Sequence, residues 1–326
     1  MKLNVRLRPV TAALMVATAA ALAAAVAPTA ATPRYGTTGH AAAGHSAAVT
    51  TSQQLAVLRY WTRSRMEHAA PADLVPRQEF FAAPARNAAV APARPATPGS
   101  MGSLWQGGGA VARAAGKIFY TLNGTNYVCS GSTVASANAD VVVTAAHCVC
   151  DGSGNWATNW TFVPGYVNGN KPYGSYPARR FFVPSQWSSG AGEDYDVAFV
   201  ALRTAKVGGV QTHAVTTAGG LSIAFGSRPT RAYAFGYPSE PPYNGQRLDY
   251  CDGTTSLDPY NATSDTGLHC AITGGSSGGP WLSGFRSGTG TITSVTSFKY
   301  NNGSEVIYGP TLGSTARSLY EQAEHA

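Results

Sequence analysis

The sequence predicts a turn-rich, all-β body arranged as a sandwich or barrel. Three observations carry that reading. Apolar residues fill 44% of the 326 positions and charged residues only 12%, so enough surface can be buried to offset ordering entropy. The 37 Gly and 20 Pro supply frequent turns. From residue 101 onward, short runs rich in β-branched and aromatic residues alternate with Gly, Asn, Pro and Ser, which is how many short strands read. Those runs are 117–122, 127–134, 141–145, 197–202, 231–235, 246–250, 291–298 and 306–308. One helix is predicted in the body, the tail at 314–323, with Ser314 as its N-cap and Leu319 and Tyr320 placed to dock.

The first hundred residues are of a different kind. Lys2, Arg6 and Arg8 precede an apolar run from Val10 to Val26, and small residues follow at Ala25, Ala27, Ala30 and Ala31. A positive start, an apolar middle and an A-x-A-like end read as a secretory signal peptide over 1–31. The competing reading, a membrane anchor, is weakened by the Ala-rich run, because Ala drives insertion far less than Leu. Residues 32–101 are Ala-, Pro- and Thr-rich and read as a pro-segment and linker. A short helix is expected over 55–69, with Leu55, Leu58, Trp61 and Met66 roughly on one face. The six prolines between Pro71 and Pro98 mark a linker. A permanent stalk is the alternative to a removable leader. The body begins at 102 and runs to 326.

The net charge of +7 belongs to this leader. Residues 1–100 hold ten Lys/Arg against three Asp/Glu, and residues 101–326 hold thirteen of each. A neutral body argues against a nucleic-acid partner.

Three local patterns carry the chemistry. Thr144-Ala145-Ala146-His147-Cys148 follows an apolar strand run; a lone His there is more often structural than a base. Gly274-Gly275-Ser276-Ser277-Gly278-Gly279-Pro280 has four glycines in six residues. Such a loop can aim several backbone N–H groups at one point around a Ser nucleophile, although a Gly/Ser loop can also be merely flexible. Asp194-Tyr195-Asp196-Val197-Ala198-Phe199-Val200 places two acids just before an apolar strand. Strand alternation gives Asp194 and Asp196 the same facing, so periodicity does not choose between them.

Taken together, residues ~116–322 resemble the chymotrypsin-fold serine peptidases. The resemblance is nearest to the secreted bacterial branch with glutamyl endopeptidases and the trypsin-like peptidases of actinomycetes. TAAHC (144–148), DVAFV (196–200) and GGSSGGP (274–280) carry it, with weaker echoes at 129–132, 162–166 and 236–238. The resemblance implies two six-stranded antiparallel barrels with a C-terminal helix. It implies a Ser277 nucleophile, a His147 base and an orienting Asp196, which the family pattern favours over Asp194. It also implies an oxyanion hole of the Gly275 and Ser277 N–H groups. Neither a metal nor an organic cofactor is called for. The expected partners are protein or peptide substrates, with no membrane once the signal is gone; the expected product is a secreted, extracellular monomer.

The resemblance further implies disulfides Cys129–Cys148 and Cys251–Cys270, leaving Cys150 as a free thiol, an intermolecular link or a rival for Cys129. The floor of the specificity pocket falls at Ala271, where a trypsin-type enzyme carries Asp. The glutamyl branch uses a His on the strand after the nucleophile, where this chain has Thr296-Ser297-Phe298-Lys299. Thr296, Ser297 and Lys299 are thus candidate pocket residues, Lys299 being equally readable as a solvated strand end; His213 and His269 have no motif behind them. The expected preference is for Glu, Asp or small-to-medium neutral residues, rather than strictly Lys or Arg. Ser276 stands where trypsin-type zymogens place an Asp that pairs with a newly cut N-terminus, so activation is expected to rest on leader removal without that ion pair. An inactive homologue kept for binding is the main alternative, and an esterase is disfavoured by the His, Asp, Ser order.

Overall fold

The computed structural model describes residues 43–72, 75–77, 99–190 and 192–326. The expected signal peptide at 1–31 lies outside them, as does much of the expected linker. Among the described residues no helix is long and apolar enough to cross a membrane.

The stretch expected to be a leader is more structured than its composition suggests. It forms β1 (Ala43–Ser46), α1 (Thr51–Tyr60), α2 (Arg63–Glu67), β2 (Ala70–Pro71) and β3 (Val75–Arg77). The single helix expected over 55–69 is therefore two helices. Thr50 and Gln53 form a capping box at α1, and the Thr62 hydroxyl accepts from Arg65 N–H to start α2. The expected linker also begins later than Pro71, since β2 and β3 both pair with the body. Trp61 and Met66 are buried against the body, and the Tyr60 hydroxyl donates to Asn126 at 2.9 Å.

The first barrel follows β4 (Ser103–Leu104) and α3 (Gly109–Ala114). It consists of β5 (Ala115–Leu122), β6 (Thr125–Val134), β7 (Val141–Thr144), β8 (Thr158–Pro164) and β9 (Tyr176–Val183), then, after the one-turn α4 (Ser185–Ser188), β10 (Ala198–Leu202). The order β9-β10-β7-β6-β5-β8 closes through a further β8–β9 pairing. β1 adds to β9, and β2 to β6.

A hairpin of β11 (Ala205–Val207) and β12 (Val210–Thr212), with α5 (Ala214–Ala218), leads to the second sheet. That sheet holds β13 (Ser222–Ile223), β14 (Arg231–Gly236), β15 (Asp249–Leu257), β16 (Thr266–His269), β17 (Pro280–Arg286), β18 (Thr289–Val295), β19 (Phe298–Tyr300) and β20 (Val306–Gly309). Its central run is β18-β17-β14-β15-β16-β20, six antiparallel strands, with β19 and then β3 beyond β20. No pairing between β18 and β20 is present among the described residues.

β8, β9 and β17 were not legible as strands. Each contains a Pro, and β9 adds two Arg, features that weaken a sequence-based strand assignment. The tail is α6 (Ser314–Glu324). Its N-cap is Gly313 without a side-chain bond, so Ser314 is the first helical residue and not the cap. Leu319 is buried and the Tyr320 ring lies 5.7 Å from that of Phe199, which docks the helix on the first barrel.

Lys117 on β5 is an exception among charged residues, being only 3% exposed. Its Nζ donates to the Gly245 carbonyl at 2.8 Å, with the rings of Phe119 and Tyr166 at 5.5 and 5.3 Å. Burial pushes its ammonium down to about 8. An unfolded lysine keeps its proton to about pH 10.4, so the unfolded chain holds more protons between those values and stability rises across that window. Lys117→Met removes this linkage. Between pH 7.5 and 10.5 the stability difference is expected to shift by about 3 kcal/mol in favour of the parent, as read by urea unfolding at the two pH values.

Candidate active site

Strand pairing brings His147 and Asp196 together. β7 pairs antiparallel with β10, with Thr144 opposite Ala198. His147 lies three residues beyond Thr144 and Asp196 two before Ala198, so both emerge at the same end of the pair. A 3₁₀ turn at Ala146–Cys148 then presents the imidazole. Asp196 Oδ1 accepts the His147 backbone N–H at 2.9 Å, and Oδ2 lies 2.7 Å from Nδ1. With Nδ1 protonated, Nε2 is left as the acceptor. Burial alone would raise the Asp196 carboxyl. The neighbouring His147 charge and the hydrogen bonds from His147 and Ser297 outweigh it and hold the carboxyl below its ordinary value.

Asp194 goes elsewhere. Its Oδ1 accepts from the backbone N–H and hydroxyl of Ser264, at 2.6 and 3.0 Å. The choice between the two acids, left open by periodicity, is therefore one of position: only Asp196 meets the imidazole.

Ser277 sits in the loop between β16 and β17, and the glycines are what let that loop pass between the barrels. Gly278 has φ +79°, and a Cβ there would stand 2.1 Å from Thr144 Oγ1 and 2.5 Å from the Ser130 carbonyl. Ser130 ties the loop down: its N–H donates to the Ser277 carbonyl at 2.8 Å, and its hydroxyl donates to Gly275 O and accepts from Tyr237 N–H, both at 2.8 Å. The hydroxyl of buried Ser276 donates to the Thr273 carbonyl at 2.6 Å. Ser277 Oγ and His147 Nε2 are both buried and make no hydrogen bond among the described residues. Bonds of this kind are often long in ligand-free sites and tighten only with substrate.

The candidate pocket residues divide. Ala271 and Lys299 line one cavity of about 240 Å³ together with Ile272, Tyr300, Ser304 and Glu305. Thr296 and Ser297 are fully buried and occupied elsewhere. Thr296 Oγ1 accepts from Trp281 Nε1 at 2.9 Å, and the Ser297 hydroxyl donates to Asp196 Oδ2 at 2.5 Å. His213 pairs with Asp140 at 2.6 Å, and His269 faces Met101.

Ser130, inside the weaker echo at 129–132, anchors the serine loop, and Ser297, read from the sequence as a pocket candidate, bonds Asp196 instead. Asp265 is fully buried, and its carboxyl is pushed up to about 9, first by burial and then by neighbouring Asp194. Disulfides join Cys129 to Cys148 and Cys251 to Cys270, while Cys150 is free and buried. Burial pushes that thiol up to about 11, so it holds little thiolate at neutral pH.

Comparison with known proteins places this geometry in a family. A family model described as a trypsin-like peptidase domain matches residues 129–288. The crystal structure of the protease Anisep from Arthrobacter nicotinovorans is 41% identical, with a TM-score of 0.61, over 66% of this chain and 96% of that one. The chain belongs to the trypsin-like serine peptidases. Two curated proteins show shorter likenesses to this peptidase. The glutamyl endopeptidase of Bacillus licheniformis is 42% identical over 62 residues, 19% of each chain. The extracellular metalloprotease of Bacillus subtilis is 33% identical over 85 residues, 26% of each chain. The matched stretch thus spans about a quarter or less of either curated relative. The metal in the second protein's name finds no fitting donors at this site: the only described trio with metal-ligand spacing is Cys129, His147 and Cys148. Its two sulfurs are bonded to each other, whereas cysteine binds metals as thiolate.

Proposed function

We propose that this chain is a secreted serine endopeptidase, made as a pre-pro-protein and working through an acyl-enzyme. Ser277 Oγ attacks the substrate carbonyl while His147 Nε2 takes its proton and returns it to the leaving amine. Asp196 holds the imidazole tautomer and stabilises the imidazolium. The N–H groups of Gly275 and Ser277 receive the oxyanion, each donor of this kind contributing ~2.7–4 kcal/mol to transition-state stabilisation. Water then releases the acyl group. The single observation supporting this reading is the buried Asp196–His147 pair, with Nε2 left as acceptor beside the glycine-bound Ser277 loop.

The disulfides fit an extracellular protein. Ala271 at the pocket floor gives no carboxylate for Lys or Arg, and Lys299 beside it favours acidic or neutral side chains. A peptide-library digest by the leader-free enzyme and its Ser277→Ala variant tests both parts. Cleavage is expected after Glu, Asp or neutral residues and only in the parent. Dominant cleavage after Arg or Lys would overturn the specificity, and undiminished cleavage by the variant would overturn the nucleophile.

A further inference from the structure

We propose that the substrate cleft is also a binding site for an extended peptide running in the opposite direction to a substrate, and that residues 70–72 and 75–77 of the chain's own leader are that ligand. The inference rests on the proposed roles of Ser277 and His147, and adds to them what holds the enzyme silent and why it does not destroy its own inhibitor.

The leader meets the cleft at three places. Ala70 and Pro71 pair in parallel with Tyr127 and Val128 on β6. The Ala72 N–H donates to the Val128 carbonyl at 2.9 Å, and the Ala72 carbonyl accepts the Gly275 N–H, also at 2.9 Å. That N–H is one of the two oxyanion donors, so a leader carbonyl fills half of the oxyanion hole. Val75–Arg77 then pairs in parallel with Phe298–Tyr300 on β19. β19 is the last body strand of its sheet, and it follows directly from Ser297, the residue bonded to Asp196. Without β3 it presents an open edge of the kind that captures extended peptides by backbone pairing. Ala72 itself is buried, in one apolar cluster with Cys129 and Cys148, and Ser277 and His147 are buried as well.

Direction follows from the chemistry. The departing half of a cleaved chain carries the amine that His147 must protonate, so it lies on the His147 side. β6 is on that side, because its Cys129 is bonded to Cys148, the neighbour of His147. A cleavable peptide therefore lays its N-terminal half on β19 and its C-terminal half on β6. The leader does the reverse: its N-terminal part is on β6 and its C-terminal part on β19. The chain continues from the Ala72 carbonyl to its pairing on β19, so a leaving amine would depart on the side away from the acid that must protonate it. The segment occupies the hole without offering a productive leaving group.

The test uses the full chain with its leader, a fluorophosphonate probe for Ser277, and mass spectrometry of the leader. Ala72→Pro removes the amide that donates to Val128; Ala72→Trp displaces the residue-72 carbonyl from Gly275 by bulk, should the Pro variant be lost in expression. The parent is expected to label at Ser277 at least tenfold more slowly than either variant. Its leader is expected to stay uncut between Ala72 and Asp73 on long incubation. Equal labelling rates overturn the blockade, and a cut at that bond overturns the reversed direction. If no form labels at Ser277, even after leader removal, the nucleophile assignment falls and the proposal with it.

Discussion

Replacing Asp196 with Asn is expected to lower turnover about 10⁴-fold while the protein still folds. Asp196 offers two acceptor oxygens to three donors: the His147 backbone N–H, the His147 ring and the Ser297 hydroxyl. An Asn side chain has one acceptor and one donor group. With its NH₂ facing the ring, Nδ1 must become the acceptor, and the ring proton moves to Nε2. His147 can then no longer take the proton of Ser277. A 10⁴-fold loss is about 5.5 kcal/mol of transition-state stabilisation. Asp194→Asn, whose carboxylate serves Ser264, should change turnover only a few-fold. Steady-state kinetics of the two variants decide the matter, and a larger loss in the Asp194 variant would reverse the assignment.

Gly279→Ala should be the most damaging single methyl in the chain's serine loop. A Cβ at Gly279 would stand 1.9 Å from the Phe235 carbonyl oxygen and 2.9 Å from that of Ser276. Phe235 is fully buried on central strand β14, so its backbone has nowhere to retreat. The expected cost exceeds ~4 kcal/mol, the range of severe core defects, and should appear as lost soluble protein or a sharply lowered Tm. Gly284 on β17 is the control: its φ is +59°, yet a Cβ there meets nothing within 4 Å. Gly284→Ala should cost only the left-handed backbone penalty, about 1–2 kcal/mol. Gly279 has no left-handed φ, so a loss there no larger than at Gly284 would show that the Phe235 backbone yields to the methyl and would overturn this expectation.

The legible parts of this molecule are those whose signal is local. His147, Asp196 and Ser277 each sit inside a run of neighbours that marks them, and the glycines around Ser277 announce an unusual backbone. Ser297 carries no such mark, and Ser130 only the weaker echo at 129–132. Each is a lone hydroxyl on or beside a strand, and its importance comes from what pairing sets across from it: Gly275 O for one, Asp196 for the other. The same holds for the second barrel's strand boundaries, where Pro280 opens β17. The leader was the least readable. Its Ala- and Pro-rich composition points to a linker, because backbone hydrogen bonds such as that from Gly275 to Ala72 need no particular side chain.

Ser276, neutral and folded back onto Thr273, has a consequence for how the enzyme is released. The loop beside Ser277 asks for no buried counter-charge, so under the proposed maturation a newly cut amino terminus has no internal duty to perform. The proposed processing could then be untidy: cuts at different bonds ahead of Ser100 would yield products with different ends and the same catalyst. Such tolerance would suit the proposed maturation outside the cell, by whichever proteases are there.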